Sequence, residues 1–499
     1  MKGLRQMYAL IDSNNFFVAC EHLFRPEFKG VATVVLSSND GCAVSRSAEA
    51  KALGVAMGEP LHKLRERFEV IEAGSEASGV GSEVKPLHDN RTAAGHTVST
   101  LQPHSSSPTS QRPRLAVFSA NFELYGDISE RIATLLCSIT PQIELYSVDE
   151  AFLEIDALDI ADYESWGRQV RATILKNVGI PVSIGIAPTK TLCKLANHWA
   201  KQHDDTGGVV VCEARSGTKE AEGADEPALS LDSCALTLAS TPVTDVWGVG
   251  WRLAPKLKAY GIYTALDLAR MRPKHAQQLM GIQGKRMVME LNGMRCLALN
   301  TTTAPQCMIA RGRQFGRDAR DLATLSAAIT AMATRACTEL RREHQRVHAA
   351  SVYLMTNRRK AGYHSAFLTV HFAAPTSDTG EICRALVDRF AQADEHHGYL
   401  YHKAEVILHK LTHRRETQTD LFDVVDLAQL ERSDQRMAVL DQIRAKHGPK
   451  ALMFAAERTS DAWKPRRGMS SPRYTSSWAD LPTARTMPLE VWKDSLGEE

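Results

Sequence analysis

Tyr146-Ser147-Val148-Asp149-Glu150-Ala151-Phe152 sets two adjacent carboxylates inside an otherwise apolar run, with Gln142-Ile143-Glu144-Leu145 before it and Leu153-Glu154-Ile155 after it. Anions beside apolar neighbours are costly unless positive charge meets them. A second apolar run, Met7 to Ile11, ends in another carboxylate, Asp12. One carboxylate at a strand end and an acidic pair on a second strand can hold two hard divalent cations. Such ions clamp the attacking and leaving oxygens of a phosphoryl transfer. The same spacing also suits a plainer arrangement, with Asp149 and Glu150 in a hairpin turn and Asp12 capping a helix. The rest of the chain bears on that choice.

The chain has 499 residues, 43% of them hydrophobic and 24% charged, enough for folded cores in roughly three domains. Its ten cysteines are scattered without a Cys-x-x-Cys pair, which argues against zinc ribbons or a disulfide framework and for reduced thiols in a cytosol. No apolar run approaches a membrane span, and the start of the chain has no signal-peptide pattern. The expected location is therefore the cytoplasm.

Net charge is only +2, but it is unevenly spread. Residues 306–415 carry 17 Lys/Arg against 10 Asp/Glu, a local balance of +7 that leaves −5 for the remainder. A basic segment in a near-neutral chain is a candidate phosphate-binding face. Nine of the 18 histidines lie there; His344 and His348, and His409 and His413, are four apart, but neither pair falls in a predicted helix, so a helical zinc site is not expected.

Hydrophobic patterning predicts strands at 7–12, 32–36, 42–45, 114–119 and 182–186, with a hairpin over 143–155 around the acidic pair. Helices are predicted over 14–24, 48–53, 122–139, 163–177 and 191–201. The alternation suggests an α+β domain with helices on one sheet face. Residues 70–112 hold no aromatic residue and are rich in Ser, Thr, Gly and Pro, which predicts a disordered insertion. Glu213 to Leu236 is acidic and irregular and reads as a linker. Val246-Trp247-Gly248-Val249-Gly250, followed by Leu253-Ala254-Pro255-Lys256-Leu257, looks like a helix-hairpin-helix turn, in which Gly248 and Gly250 let the backbone approach a phosphate. In the basic segment a helix over 321–343 is followed by strands at 349–355 and 366–372, a helix over 380–394 and a strand at 404–409.

The acidic heptapeptide resembles the palm motif of Y-family (translesion) DNA polymerases, and Ala9-Leu10-Ile11-Asp12-Ser13-Asn14-Asn15-Phe16-Phe17 resembles that family's first metal motif. Gly185 to Leu192, followed by Lys194-Leu195-Ala196-Asn197, is similar to its triphosphate-contacting strand and helix. Leu36 to Cys42, Ala48 to Gly54 and Ser471-Pro472-Arg473-Tyr474-Thr475 place the resemblance in the UmuC-type branch of the family. The resemblance implies an α+β multidomain, right-hand polymerase. Its palm would comprise 1–16 and 113–201, its fingers 17–69, and its helix-hairpin-helix thumb 202–300. An α/β little finger would span 306–415 and a tail 416–499, with the insertion at 70–112 absent from the family pattern.

What the resemblance implies for the site is specific. Asp12, Asp149 and Glu150 match the metal-binding carboxylates, with the Ser13 carbonyl as a further ligand for two Mg2+ ions. Three converging carboxylates repel one another without cations, so the site is expected to be poorly ordered or partly protonated when metal is absent. Lys190 matches the triphosphate-contacting lysine, Lys51 a triphosphate-binding fingers position, and Arg46 is a substitute donor where Ala48 replaces a tyrosine of some relatives. Phe17 matches the steric gate that excludes a 2′-hydroxyl, while Phe16 is expected in the core. Arg341, Arg342, Arg346, Arg358, Arg359 and Lys360 are the expected phosphate contacts of the little finger.

Gln418-Thr419-Asp420-Leu421-Phe422 resembles the bacterial sliding-clamp-binding pentapeptide, in which Gln418 makes the polar contacts and Leu421 and Phe422 fill an apolar groove. The implied partners are primer–template DNA, deoxynucleoside triphosphates, the clamp, a processed UmuD-type dimer and RecA, with no membrane, at a bacterial nucleoid. The implied activity is error-prone translesion synthesis in the SOS response. The alternatives are a catalytically silent DNA-bound adaptor and a self-sufficient polymerase-IV-like enzyme.

Overall fold

The computed structural model describes residues 7–74, 112–212, 234–301, 306–416 and 427–481. The chain divides into two compact units, one of residues 1–36, 42–303 and 469–499, the other of 37–41 and 304–468. Among the described residues no helix is long and apolar enough to cross a membrane.

The strands of the first unit are β1 (Tyr8–Ser13), β2 (Thr33–Leu36), β3 (Ala43–Arg46), β4 (Glu69–Glu72), β5 (Arg114–Ser119), β6 (Ile143–Leu145), β7 (Glu150–Glu154), β8 (Val182–Ala187) and β9 (Val209–Val211). They form a five-stranded sheet in the order β6-β7-β1-β8-β9 and a four-stranded sheet in the order β3-β2-β5-β4. All six residues of β1 are buried, as a central strand between antiparallel β7 and β8 requires. Alternate residues of β1 and β7 feed different cores. Ala9, Ile11, Ala151 and Leu153 join the core containing helix Phe122–Cys137 and helix Tyr163–Val178. Tyr8, Leu10 and Phe152 join that of helix Lys190–Gln202. The expectation of helices on one face is thus corrected: both faces are covered. Gly185 permits the second packing, since a Cβ there would lie 2.3 Å from the Cys193 carbonyl oxygen.

The hairpin expected around the acidic pair is present as β6 and β7, in antiparallel register from Ile143↔Leu153 to Leu145↔Ala151. The insertion expected from residue 70 needs adjustment. Val70 to Glu72 pair in parallel with β5, because Val70 and Ile71 offer apolar surface to the sheet. Residues 75–111 of that stretch, and 213–233 of the acidic linker, lie outside the described residues.

Residues Met469 to Tyr474 also belong to the first unit. Met469 is buried in the core of the smaller sheet, and Tyr474 stacks on Phe24 with ring centroids 4.6 Å apart. Ser119 and Met469 exchange hydrogen bonds, the Ser119 amide donating to the Met469 carbonyl at 2.7 Å and the Met469 amide to Ser119 Oγ at 3.0 Å.

In the second unit β10 (Met308–Ala319), β11 (Gln345–Thr356), β12 (Ser365–Thr376) and β13 (Tyr401–His413) form an antiparallel sheet in the order β10-β13-β11-β12. Helices Leu322–Arg342 and Thr379–Ala391 pack on Ala350, Val352, Leu354, Val406 and Leu408. Asp321 and Asp378 cap these helices by accepting amide hydrogen bonds. Strand β10 was absent from the sequence reading; it is an edge strand whose Arg311, Gly312, Arg313, Gly316 and Arg317 dilute any apolar alternation. A helix, Leu427–His447, and Trp463, which is buried in this unit's core, show that much of the expected tail is folded structure.

Candidate active site

Asp12, one residue before the end of β1, lies directly opposite Glu150, which begins β7. The strand period sends Leu10 and Asp12, and Phe152 and Glu150, to the face that helix Lys190–Gln202 covers. That helix starts at the Thr189 cap and carries Lys190, Lys194 and Lys201. Lys201 Nζ lies 2.6 Å from Asp12 Oδ1, and Lys194 Nζ lies 2.5 Å from Glu150 Oε2. Each carboxylate therefore has its own lysine. The rings of Tyr146, Phe152 and Trp247 surround the Lys194 ammonium at 4.5, 5.8 and 5.9 Å, which strengthens its hold by cation–π attraction.

Electrostatics separates the pair. Burial pushes the Asp12 carboxyl up to about 7 against the pull of Lys201, and neighbouring Glu150 adds to the rise. Burial also acts upward on Glu150, but hydrogen bonds from Lys194 and Asp12, with the charges of Lys194 and Lys201, hold it below the ordinary glutamate value. Two close carboxyls sharing a hydrogen bond are driven apart in this way.

The third expected carboxylate is not gathered with them. Asp149 lies just before β7, and its Oδ1 accepts from Ser147 Oγ at 2.5 Å. Its backbone carbonyl accepts from the Ser13 amide at 2.9 Å, so Ser13 and Asp149 are tied through the main chain. Among the described residues no three His, Cys, Asp or Glu side chains stand together as a ready ion cage. The convergence expected of Asp12, Asp149 and Glu150 is thus corrected to a close pair with Asp149 beside it.

Lys190 is likewise placed differently from expectation. Its ammonium is 5% exposed, is paired with Glu144 and donates to the Ala298 carbonyl at 2.7 Å. It fastens β6 to the 298–300 segment, whose Asn300 amide donates to the same Glu144 at 2.7 Å. The lysine facing Asp12 is Lys201, which sequence reasoning missed although Lys194 and Lys201 stand seven residues apart on one helix face.

Beyond Asp12 lies a cationic corner. Asn15 has a left-handed backbone, φ 49°, at the start of helix Phe16–Phe24, and its Oδ1 accepts from Lys51 Nζ at 2.6 Å. Partial burial and the charges of Arg46 and Lys201 push Lys51 below its ordinary value. Arg46 donates to the Val55 carbonyl at 2.7 Å. Phe16 is buried, whereas Phe17 is half-buried and stacks on Tyr125 with centroids 4.4 Å apart. Phe122 meets Phe17 edge-on at 5.8 Å, so two rings fix the Phe17 plane.

Gly248 takes φ 94°, a left-handed value that favours glycine, and Gly250 caps helix Ala254–Ala259 by accepting from the Ala254 amide at 3.0 Å. In the second unit Arg342, Arg358 and Arg359 extend from the helix end and the 357–362 turn, while Lys360 pairs with Asp318 at 3.1 Å. Arg341 and Arg346 differ from expectation. Arg341 grips Asp441 at 2.7 and 2.8 Å, and Arg346, 6% exposed, pairs with Asp434 at 2.6 Å. Both anchor helix Leu427–His447 in place of the DNA contacts read from their charge. Gln418, Leu421 and Phe422 lie outside the described residues.

The chain matches the impB/mucB/samB family over residues 11–198, that family's C-terminal domain over 308–421 and its HHH motif over 232–262. A domain of unknown function matches 435–484. Protein UmuC of Salmonella typhimurium is 36% identical over 479 residues, covering 95% of this chain and 99% of the relative. Protein SamB of Salmonella typhimurium is 33% identical, covering 96% and 100%. A solved Y-family DNA polymerase chimera of Dbh and Dpo4 is similar with a TM-score of 0.55 at 17% identity, covering 82% of this chain and 99% of the other, a likeness of fold.

Proposed function

The chain belongs to the impB/mucB/samB family of Y-family DNA polymerases, and we propose that its nucleotidyl transfer takes place at the Asp12–Glu150 pair. It is a DNA-directed DNA polymerase of the error-prone translesion type, acting in SOS mutagenesis. The observation that carries the assignment is the facing of Asp12 and Glu150 across β1 and β7, with Lys201 and Lys194 as their cations.

The donor set suits a hard divalent cation. Asp12, Glu150 and Asp149 offer carboxylate oxygen, and Ser13 offers a backbone carbonyl beside them. Two Mg2+ ions held there would activate the primer 3′-hydroxyl and neutralise the departing pyrophosphate. The remaining work falls to the chain itself. Lys201, Lys51 and Arg46 offer positive charge to an incoming triphosphate at the end of β1. The Phe17 ring, held by Tyr125 and Phe122, closes the space beneath the sugar and offers a 2′-hydroxyl no hydrogen bond. Gly248 and Gly250, with Arg342, Arg358, Arg359 and Lys360, receive the phosphates of primer–template DNA.

Likeness to UmuC along nearly the whole chain supports assembly with a processed UmuD-type dimer and RecA, and Gln418, Leu421 and Phe422 support clamp binding. A DNA template would hold the enzyme at the nucleoid in a bacterial cytoplasm.

Primer extension across an abasic site, with and without a UmuD-type dimer and activated RecA, tests the reading. Asp149→Ala and Glu150→Ala should abolish incorporation in Mg2+ while DNA affinity is retained. Substantial extension by either variant would refute the assignment of the carboxylates.

A further inference from the structure

Glu290, at the end of helix Pro273–Leu291, is fully buried. Its Oε2 accepts from the Thr191 amide and from Thr191 Oγ1, both at 3.0 Å. Its Oε1 accepts from the Cys296 amide at 2.9 Å and the Leu297 amide at 3.0 Å. Its own carbonyl accepts from Thr189 Oγ1 at 2.8 Å. A carboxylate taken wholly out of water costs several kcal/mol in order of magnitude unless it is satisfied. Four donors on two oxygens supply that satisfaction, three of them main-chain amides.

The Thr191 amide has a particular meaning. It belongs to the first turn of helix Lys190–Gln202, whose amides lack partners within the helix. The positive end of the helix dipole also favours an anion there. Glu290 therefore holds the start of the helix that carries Lys194 and Lys201. The segment after it fastens the same assembly from other sides. Arg295 donates to the Pro188 carbonyl at 2.9 Å, to Glu154 at 2.9 Å and to Asp156 at 2.9 and 3.1 Å. These contacts fix the end of β8 and the residues after β7, but Glu290 alone among them grips the helix N-terminus.

We propose that Glu290 is a positioning residue for the polymerase reaction: its buried carboxylate sets the axial placement of helix Lys190–Gln202 and, through it, of the Lys201 and Lys194 ammoniums against Asp12 and Glu150. The proposal rests on the reading of that pair as the active site. A helix is stiff along its axis and rises about 1.5 Å per residue. A slip of one residue at Thr191 would therefore carry Lys201 out of hydrogen-bond reach of Asp12. Glutamine at 290 keeps one accepting oxygen but turns an N–H2 group towards either Thr191 or the two amides of 296 and 297, where amide donors already point. Alanine removes both oxygens.

The test is single-nucleotide incorporation by the full-length chain in Mg2+, with KM for the deoxynucleotide separated from kcat. Glu290→Gln should raise that KM by about tenfold, a usual size for removing an outer support of a site, with kcat changed less. Glu290→Ala should do more, and if it does not fold, Glu290→Gln carries the test. The deciding measurement is the cycle with Lys201→Ala. If Glu290 acts through the helix, Glu290→Gln should add little to the defect of Lys201→Ala. Full multiplication of the two defects, or an unchanged KM in Glu290→Gln with loss of stability only, overturns the proposal. A Lys201→Ala enzyme with normal kinetics would instead refute the underlying site reading, which separates the two failures.

Discussion

Lys201 and Asp12 meet at 2.6 Å across the face where helix Lys190–Gln202 covers the central strand, and Lys194 repeats the arrangement with Glu150 seven residues earlier. Positive charge here comes from helix positions one heptad apart, so a single helix aligns both carboxylates. Lys190, on the same helix, is spent on Glu144 and the Ala298 carbonyl.

That difference separates the three lysines by experiment. Lys201→Ala should lower kcat/KM for nucleotide incorporation by at least about tenfold, the effect of removing one charge-assisted hydrogen bond. Lys190→Ala should instead lower stability with incorporation changed less, because it takes a buried donor from the half-buried Glu144 and from the Ala298 carbonyl. Steady-state incorporation and urea unfolding of both variants decide it. A kinetic defect confined to Lys190→Ala would show that the lysine nearest the triphosphate is the one the family motif suggests.

Phe17→Ala should admit ribonucleotides. The ring is fixed by its stack on Tyr125 and by the edge of Phe122, so removing it opens space with no side chain ready to refill it. The expected result is a rise in the ribonucleotide-to-deoxyribonucleotide incorporation ratio of at least about tenfold, equivalent to ~1.4 kcal/mol of discrimination. Comparison of the two sugars with one base on undamaged template reads it directly, and an unchanged ratio places the gate elsewhere.

Stability should fall as pH rises through neutrality because of Glu21. Burial pushes its carboxyl up to about 7 against the hydrogen bonds from Tyr125 and Ser471. The folded protein then binds more protons than the unfolded chain between the ordinary glutamate value and about 7. The stabilisation is complete below that window and gone above it, a difference on the order of 3 kcal/mol. His22, pushed down to about 4 by burial, works in the opposite sense at lower pH. Glu21→Gln keeps an acceptor for Tyr125 but cannot ionise. Wild type minus variant in urea unfolding at pH 5 and pH 8 isolates the effect, and an equal difference at both pH values would refute it.

The closing segment should be needed for folding of the first unit. Tyr474 and Met469 are buried, and Asn121 Nδ2 donates to Ser471 Oγ at 3.0 Å. Gly74 leaves no room for a side chain because the Met469 carbonyl oxygen would lie 1.8 Å from its Cβ. Tyr474→Ala should cost about 3–5 kcal/mol, as for a large buried ring. A chain ending at 468 should lose its unfolding midpoint.

The legibility of the molecule followed its physics. The palm strands and helices could be read closely because each buries a continuous or periodic apolar set: β1 is wholly buried, and helix Lys190–Gln202 differs by one residue at each end from the patterned span. The pairing of Asp12 with Glu150 followed from the same strand logic. Asp149 did not, because it precedes β7, outside the strand pairing, and its Oδ1 is turned to the Ser147 hydroxyl. Arg341 and Arg346 were misread for a different reason. Their carboxylate partners, Asp441 and Asp434, lie 100 and 88 residues away, and local charge counting carries no trace of pairs so distant. Strand β10 was hidden by glycines and arginines at a sheet edge, where one side of the backbone needs no partner.

The salt dependence of DNA binding should distinguish solvated arginines from structural ones. Removing one arginine that meets a phosphate should reduce the slope of log affinity against log salt by about 1. Arg358→Ala and Arg359→Ala, in the turn after β11, should each show that change and weaken binding across all sequences alike. Arg346→Ala should leave the slope unchanged and lower stability, because Asp434 is 8% exposed and would keep only Arg414, at 2.8 Å, as its cation. Fluorescence-anisotropy titrations of primer–template DNA at several salt concentrations, beside urea unfolding, measure both effects. A reduced slope in Arg346→Ala with full stability would return that arginine to the DNA-binding set and remove its role as the anchor of helix Leu427–His447.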